Sequence, residues 1–298
     1  MDEQLFNVPI TDLNQLSNDI KYTSLNAIES GQVLYFPNYF FDFPQINNFL
    51  TETILDGRRK NISFDYRTKH LGGVKKEGIQ AIKLQQELKE FMQQYASFAR
   101  VLVNTLLPQY QQHLQWGRTS YRPAQIQGRS SSKRKDDTRL HVDSFAATPV
   151  NGLRILRVFC NINPFGEPRI WHLGEPFDKV IQRFSAQIPD YRRSLAKLLR
   201  LIKVTKTLRS AYDHYQLQLH DRMKLDDNYQ QTVEKKQINF AAQSTWLVFT
   251  DQVSHAALSG QFLLEQTFYL PIQAMAKPNL SPLKYWEQEK STSLVTAL

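Results

Sequence analysis

A chain of 298 residues, 41% hydrophobic and 22% charged, is long enough for one large core or two modest ones, and its composition excludes disordered, collagen-like and multi-spanning membrane classes. Its one cysteine, Cys160, lies in an apolar run, which excludes an intrachain disulfide framework; the acidic, polar start reads as no export leader, so a reducing cytoplasmic location is expected. A formal charge of +9, from 37 Lys plus Arg against 28 Asp plus Glu, asks for an anionic partner, while zinc-finger spacings, RNA-recognition signatures and glycine-rich phosphate loops are missing, so no nucleic acid is expected.

Residues 31–37 read as a strand, an aromatic and β-branched run between glycine and proline. Residues 44–55 read as a short helix. Residues 84–107 place Leu88, Phe91, Met92, Tyr95, Phe98, Val101 and Leu102 at helical spacing and predict a long amphipathic helix on the outside of a sheet. From Trp116 onward short strands dominate. The run 153–163 is apolar and β-prone up to Pro164; 245–249 and 262–270 repeat that grammar, with Pro271 stopping the last. Between them, from about Pro176 to Leu225, lies a helical stretch. Strands, a helical insertion and strands again predict a mainly β fold with α additions: a double-stranded β-helix (jelly-roll, cupin-like) core with flanking helices. No repeat or low-complexity linker divides the chain. The expected division is a mixed α/β supporting region over 1–115, a jelly-roll core over 116–175 and 226–275, and a helical insertion over 176–225, within one catalytic domain of residues 1–298.

The tripeptide His141-Val142-Asp143 carries chemistry. Residues two apart on a strand point to the same side, so His141 and Asp143 can reach one centre together. His255 follows Asp143 by 112 residues, after a turn at 250–252. Two imidazoles and a carboxylate on one face of a metal leave the opposite positions open, the arrangement of non-haem Fe(II) oxygenases. The tripeptide alone is a weak signal, because 7 His and 16 Asp in this length produce one by chance in about one chain in three. The strand grammar around both histidines strengthens it.

Two basic clusters stand out. One runs from Arg129 to Arg139, directly before the His-x-Asp. The other holds Arg192, Arg193, Lys197, Arg200, Lys203, Lys206 and Arg209, interleaved with Leu195, Leu198, Leu199, Leu201, Ile202 and Leu208. This second cluster has the composition of a helix lying on an anionic membrane surface; equally, it reads as a solvated helix whose leucines face the core.

Several stretches together, residues 128–145, 154–164, 166–171, 174–177 and 255–268, resemble the bacterial Kdo 3-hydroxylase family over most of the chain. The resemblance implies an Fe(II)- and 2-oxoglutarate-dependent dioxygenase that uses O₂, with ascorbate as an accessory reductant, and hydroxylates C3 of 3-deoxy-D-manno-octulosonic acid (Kdo) in the lipopolysaccharide inner core to give Ko. Carried over residue by residue, it makes His141, Asp143 and His255 the iron ligands and catalytic centre. It also implies Kdo-bearing lipid A or a lipopolysaccharide precursor as partner; the basic clusters, by their charge alone, suggest peripheral contact with the anionic inner face of the inner membrane. Many relatives in the wider dioxygenase superfamily anchor 2-oxoglutarate with a cation about ten residues after the second histidine, but this chain has no basic residue between His255 and Lys277. The anchor is therefore sought on the strand after His-x-Asp. Arg157 is favoured because it shares a face with Phe159 and Asn161; Arg154 points the other way unless the strand is bulged, and Arg118 and Arg122 follow. Two other functions fit the same residues: a 2-oxoglutarate oxygenase for another anionic substrate, or a non-catalytic basic jelly roll that binds acidic lipid or nucleic acid.

Overall fold

The computed structural model describes residues 4–57, 59–75, 79–128 and 131–295, so Arg129, the first cation of the first basic cluster, lies outside the described residues. A large sheet orders eight strands as β1 (Leu5–Asn7), β2 (Val33–Phe36), β9 (Ser244–Phe249), β6 (Arg154–Asn161), β11 (Leu263–Leu270), β5 (Gln115–Arg122), β3 (Ile62–Asp65) and β4 (His70–Gly72). A small sheet orders β10 (His255–Ser259), β7 (Arg169–Leu173) and β8 (Lys236–Phe240). Among the described residues, only β1 and β2 pair in parallel. The first 115 residues thus extend both edges of the large sheet.

The central strands read as continuous apolar runs because both of their faces are covered. On one face, Phe159, Trp246, Val248 and Leu263 meet Trp171, Ile238 and Phe240 of the small sheet. Phe240 and Trp246 stack with centroids 4.0 Å apart. On the other, helix α2 (Ile79–Leu106) lays Leu88, Phe91, Met92 and Tyr95 on the sheet. Tyr95 is fully buried and its hydroxyl donates to the carbonyl of Val158 at 2.8 Å, so the polar tip of an otherwise apolar anchor is satisfied. Burying each such side chain contributes about 1.5–3 kcal/mol. Val101, expected on the apolar side, instead faces solvent, and Ala99 and Leu102 take the contact.

The expected helix over 44–55 is two 3₁₀ turns, Ile46–Phe49 and Glu52–Ile54. Thr51 breaks the run: it is extended and its hydroxyl caps Thr53 N, as a Thr side chain does where it competes with helix propagation. The helical insertion holds α3 (Phe177–Phe184), α4 (Arg193–Leu201) and α5 (Ala211–Leu225), and continues past its expected end into α6 (Asp227–Thr232), capped by Asp226. The basic segment that reads as one helix to Arg209 forms only α4 and then turns. Three of its leucines do not face the core: Leu195, Leu198 and Leu201 are 49%, 50% and 78% exposed, while Leu199 and Leu208 are half-buried. A last helix, α7 (Pro282–Lys290), buries Trp286 against α5. Among the described residues, no helix is long and apolar enough to cross a membrane.

Candidate metal and co-substrate site

The site begins as a backbone event. His141 and His255 form an isolated antiparallel bridge in which His141 N donates to His255 O at 3.0 Å and His255 N to His141 O at 2.9 Å. Two residues on, Asp143 N donates to Thr250 O at 2.7 Å, which places its carboxylate on the same side as the first imidazole. The residue before His141 is clamped as well: Gln230 of α6 accepts from Leu140 N and donates to Leu140 O, at 2.8 and 2.9 Å. Gly174 sits between Leu140 and Ser254, the residues that precede the two histidines, and a Cβ there would meet Ser254 Oγ at 2.6 Å.

His141, Asp143 and His255 each offer one ligand atom, all within 4.8 Å of one another, and all three residues are buried. Nδ1 of His141 donates to Arg139 O, and Nδ1 of His255 to Val253 O, both at 2.8 Å. Because a carbonyl only accepts, the proton lies on Nδ1 in each ring and the Nε2 lone pair is left for a metal. Burial, helped by the neighbouring imidazole and by Lys224, holds the His141 pKa well below its ordinary value; burial also lowers that of His255. Burial alone would raise the Asp143 pKa, but the Arg157 guanidinium and the two imidazoles override it and keep the carboxyl below its usual range. Two neutral imidazoles and one carboxylate form the donor set that suits Fe(II) while leaving positions open.

After His255 there is no cation on β11, but two arginines approach the ligand set from the strands that flank it. Arg157 Nη2 lies 3.1 Å from Asp143 Oδ2, an ion pair rather than an aligned hydrogen bond, and Nη1 lies 3.0 Å from Glu265 Oε1. Arg122 on β5 pairs with the other oxygen of Glu265 at 3.1 Å. Glu265 therefore occupies the strand where the wider superfamily keeps its cation, and holds two arginines in place. Trp171 stacks on His255 with centroids 5.0 Å apart, and its buried indole Nε1 has no partner, nor has Arg157 Nε. Orphaned donors beside a metal-ligand set call for acceptor oxygens, and a 2-oxo dicarboxylate supplies them; the residues fit both groups.

Two residues expected at the co-substrate are used elsewhere. Arg154 is 1% exposed, donates to Asp251 at 2.7 Å and to Gln252 at 2.7 Å, and lies over the Phe249 ring. The strand is not bulged, so it faces away from the metal ligands. Asn161 donates to the carbonyls of Glu167, Phe240 and Ala241 and accepts from Asn163 N, so it ties a turn and offers the co-substrate nothing. Arg118 is an exposed partner of Asp65. Three of the cations before the His-x-Asp are also paired: Lys133 and Arg139 with Asp227, Arg134 with Asp221.

The sequence reading missed Glu265, Trp171, His220 and Lys224. His220 of α5 sets its ring edge-on to His141 at 5.4 Å, with Nδ1 2.9 Å from Asp221. One turn later Lys224, 2% exposed, lies 3.6 Å from Asp137, and burial lowers its pKa. Glu265 had a readable signal, a lone acid in an apolar strand that is costly unless paired. The two α5 residues had none, since no spacing links them to the ligands.

Comparison with known proteins agrees with this geometry. The model of the 3-deoxy-D-manno-oct-2-ulosonic acid (Kdo) hydroxylase family matches residues 12–292. Among solved structures, the Kdo hydroxylase KdoO, a non-haem Fe(II) α-ketoglutarate-dependent dioxygenase, in complex with cobalt(II) is 42% identical, with TM-score 0.93, over 99% of this chain and 98% of that one. A structure of a Kdo hydroxylase KdoO with α-ketoglutarate and Fe(III) is 40% identical, with TM-score 0.93, over 99% of both chains. A complex with succinate and Fe(III) is 41% identical, with TM-score 0.92, over 99% and 98%. No curated protein sequence matches. A family match over nearly the whole chain, together with relatives at 40–42% identity, means that this chain belongs to the Kdo hydroxylase family.

Proposed function

We infer that this chain is an Fe(II)- and 2-oxoglutarate-dependent dioxygenase that hydroxylates C3 of Kdo carried on lipid A. One oxygen atom of O₂ goes to the sugar to give Ko and the other to succinate, with loss of CO₂. The observation that carries this reading is the buried His141, Asp143 and His255 set, its protons fixed on Nδ1, facing unpartnered donors on Trp171 and Arg157. The two packed sheets are read as a double-stranded β-helix, with the ligands at one mouth.

His141, Asp143 and His255 hold the iron, and Arg157 receives the distal carboxylate of 2-oxoglutarate, with Arg122 steadied beside it through Glu265. When bound, the metal and 2-oxo acid supply the oxidising power for the C–H bond. The chain keeps both imidazoles neutral, orients them through Arg139 O and Val253 O, and excludes water with Trp171 and the aromatic layer behind it. Arg122, Arg157 and Lys224 balance the carboxylates of Glu265, Asp143 and Asp137, so no excess negative charge opposes a dianionic co-substrate and an acidic sugar. We place the enzyme in the cytoplasm, peripheral to the inner face of the inner membrane, because its substrate is read as lipid-borne; among the described residues no helix is long and apolar enough to cross the bilayer. The test is turnover of Kdo-bearing lipid A under labelled O₂. One labelled atom on C3 of the sugar and one in succinate is the expected result. Labelled succinate with unmodified Kdo, but with oxygen in another acidic substrate, would move the assignment to a different oxygenase of the same chemistry.

A further inference from the structure

One surface is not used by this site. Among the described residues, ten large hydrophobic side chains are exposed, and five of them, Leu195, Leu198, Leu201, Ile202 and Val204, fall in one ten-residue stretch. Around them stand seven cations, Arg192, Arg193, Lys197, Arg200, Lys203, Lys206 and Arg209, with no acid between Asp190 and Asp213. We propose that this segment, α4 with the turns that follow it, is the seat by which the enzyme docks on an anionic membrane, with α4 lying in the headgroup plane and its aliphatic ridge entering the acyl boundary.

The burial pattern selects the orientation. Ala196 is buried and Leu199 half-buried, so this edge of α4 faces the protein; Leu195 stands at the rim of the cleft beneath it, and Leu198, Leu201 and Ile202 point away. On the inner side α4 covers a cleft of about 410 Å³ lined by Tyr191, Ala196, Leu199 and His214, which leaves it loosely packed on α5. A scattered exposed leucine needs no explanation, but a contiguous aliphatic ridge does. The charge chooses the occupant. A second copy meeting this face through a two-fold axis would bring seven like charges against seven, whereas an anionic lipid surface attracts every one.

The seat is also tied to the metal site. Lys206 N donates to Ala147 O at 3.0 Å and Arg209 Nη2 to Ala146 O at 2.8 Å, fixing the loop that follows Asp143. Phe145 of that loop faces the Arg157 guanidinium at 5.7 Å. At the other end, Tyr191 donates to Arg209 O and His214 to Pro189 O, which joins the seat to α5, whose His220 lies against His141. Docking therefore sets the site at a fixed place relative to the bilayer from which a sugar headgroup projects. The use of the seat rests on the Kdo-lipid reading; its geometry does not.

The test sediments the full chain with vesicles of phosphatidylglycerol and phosphatidylethanolamine, or of phosphatidylcholine alone. Wild type is expected to pellet with the anionic vesicles and to be released by salt. At about 1 kcal/mol per surface cation, neutralising three as Arg200→Gln, Lys203→Gln and Lys206→Gln weakens partition about 100-fold. Leu198→Glu with Leu201→Glu weakens it more than tenfold with no loss of folding, because both positions are exposed. The emission of a Leu201→Trp variant shifts to the blue on anionic vesicles. Binding that ignores these variants, equal binding to neutral vesicles, unmoved emission in pelleted protein, or a solution dimer that Leu198→Glu with Leu201→Glu dissolves would each overturn the proposal. Turnover of detergent-dispersed Kdo-lipid, measured in parallel, stays at the wild-type rate in all variants. Its absence in wild type would defeat the substrate reading and leave the vesicle result to decide the seat.

Discussion

Two buried arginines three residues apart on β6 have opposite assignments, and Gln substitutions separate them. Arg157 is 12% exposed at its side chain and pairs with Asp143 and Glu265. In metal-loaded Arg157→Gln, Glu265 retains Arg122 and Asp143 would retain the metal as its cation, so the folding loss stays below the 3–5 kcal/mol of an orphaned buried charge, at about 2 kcal/mol. A chain of this length has an unfolding entropy of about 0.6 kcal/mol/K, so Tm falls by about 3 °C. The co-substrate loses a charge-assisted fork of about 2–3 kcal/mol, and the KM for 2-oxoglutarate rises about 30- to 150-fold. Arg154→Gln does the reverse. Asp251, 1% exposed at its side chain, is left without its cation, so the loss is about 3–5 kcal/mol and Tm falls by about 5–8 °C, while the KM for 2-oxoglutarate stays within about twofold. Succinate formation against 2-oxoglutarate concentration, with thermal melts of the same preparations, reads both. A 30-fold KM rise in Arg154→Gln with none in Arg157→Gln would refute the assignment.

Trp171→Phe removes a donor that has no partner in the ligand-free protein, so it should raise the KM for 2-oxoglutarate about 5- to 10-fold with little change in the ligand-free melt; an unchanged KM would remove the indole from the co-substrate site. Gly174→Ala pushes a methyl against Ser254 and Leu140, and is expected to cost about 1–3 kcal/mol and to weaken Co(II) binding, followed by the visible absorption of the metal; unchanged affinity would free the histidines from this packing. Burial lowers the pKa of His141 and His255, so the folded protein binds fewer protons than the unfolded chain, and stability falls as pH drops through the unfolded value near 6.5. Between pH 6.5 and 5.5 the metal-free protein should lose stability in urea titrations, by at most about 1 kcal/mol per histidine, and a flat profile over that range would contradict the burial account.

The parts of this molecule that local chemistry determines were readable in advance. His141 and Asp143 share a side because of backbone alternation, although they sit on a single bridge and an extended loop rather than a long strand. The long helix and the strands at 153–163, 245–249 and 262–270 were readable because their apolar periods are unbroken. Non-local pairings were hidden. Arg154 and Asp251 meet across 97 residues, and nothing near either marks the pair. Glu265 gains its role only when β5 and β6 flank β11. The helix expected at 44–55 failed because a Thr51 cap outweighs a modest apolar pattern. The basic segment at 192–209 was ambiguous in sequence because helical periodicity does not say which face meets the core.

The central claim is that His141, Asp143 and His255 drive a reaction coupled to Kdo. It is tested most directly by succinate formation from Fe(II)-loaded protein with 2-oxoglutarate and O₂, with and without Kdo-bearing lipid A, in the intact chain and in His141→Ala. The account predicts succinate that rises with the lipid, matches a sugar heavier by one oxygen mole for mole, and disappears in the variant. Full turnover by His141→Ala, or an intact metallated protein that leaves Kdo unchanged, would contradict it.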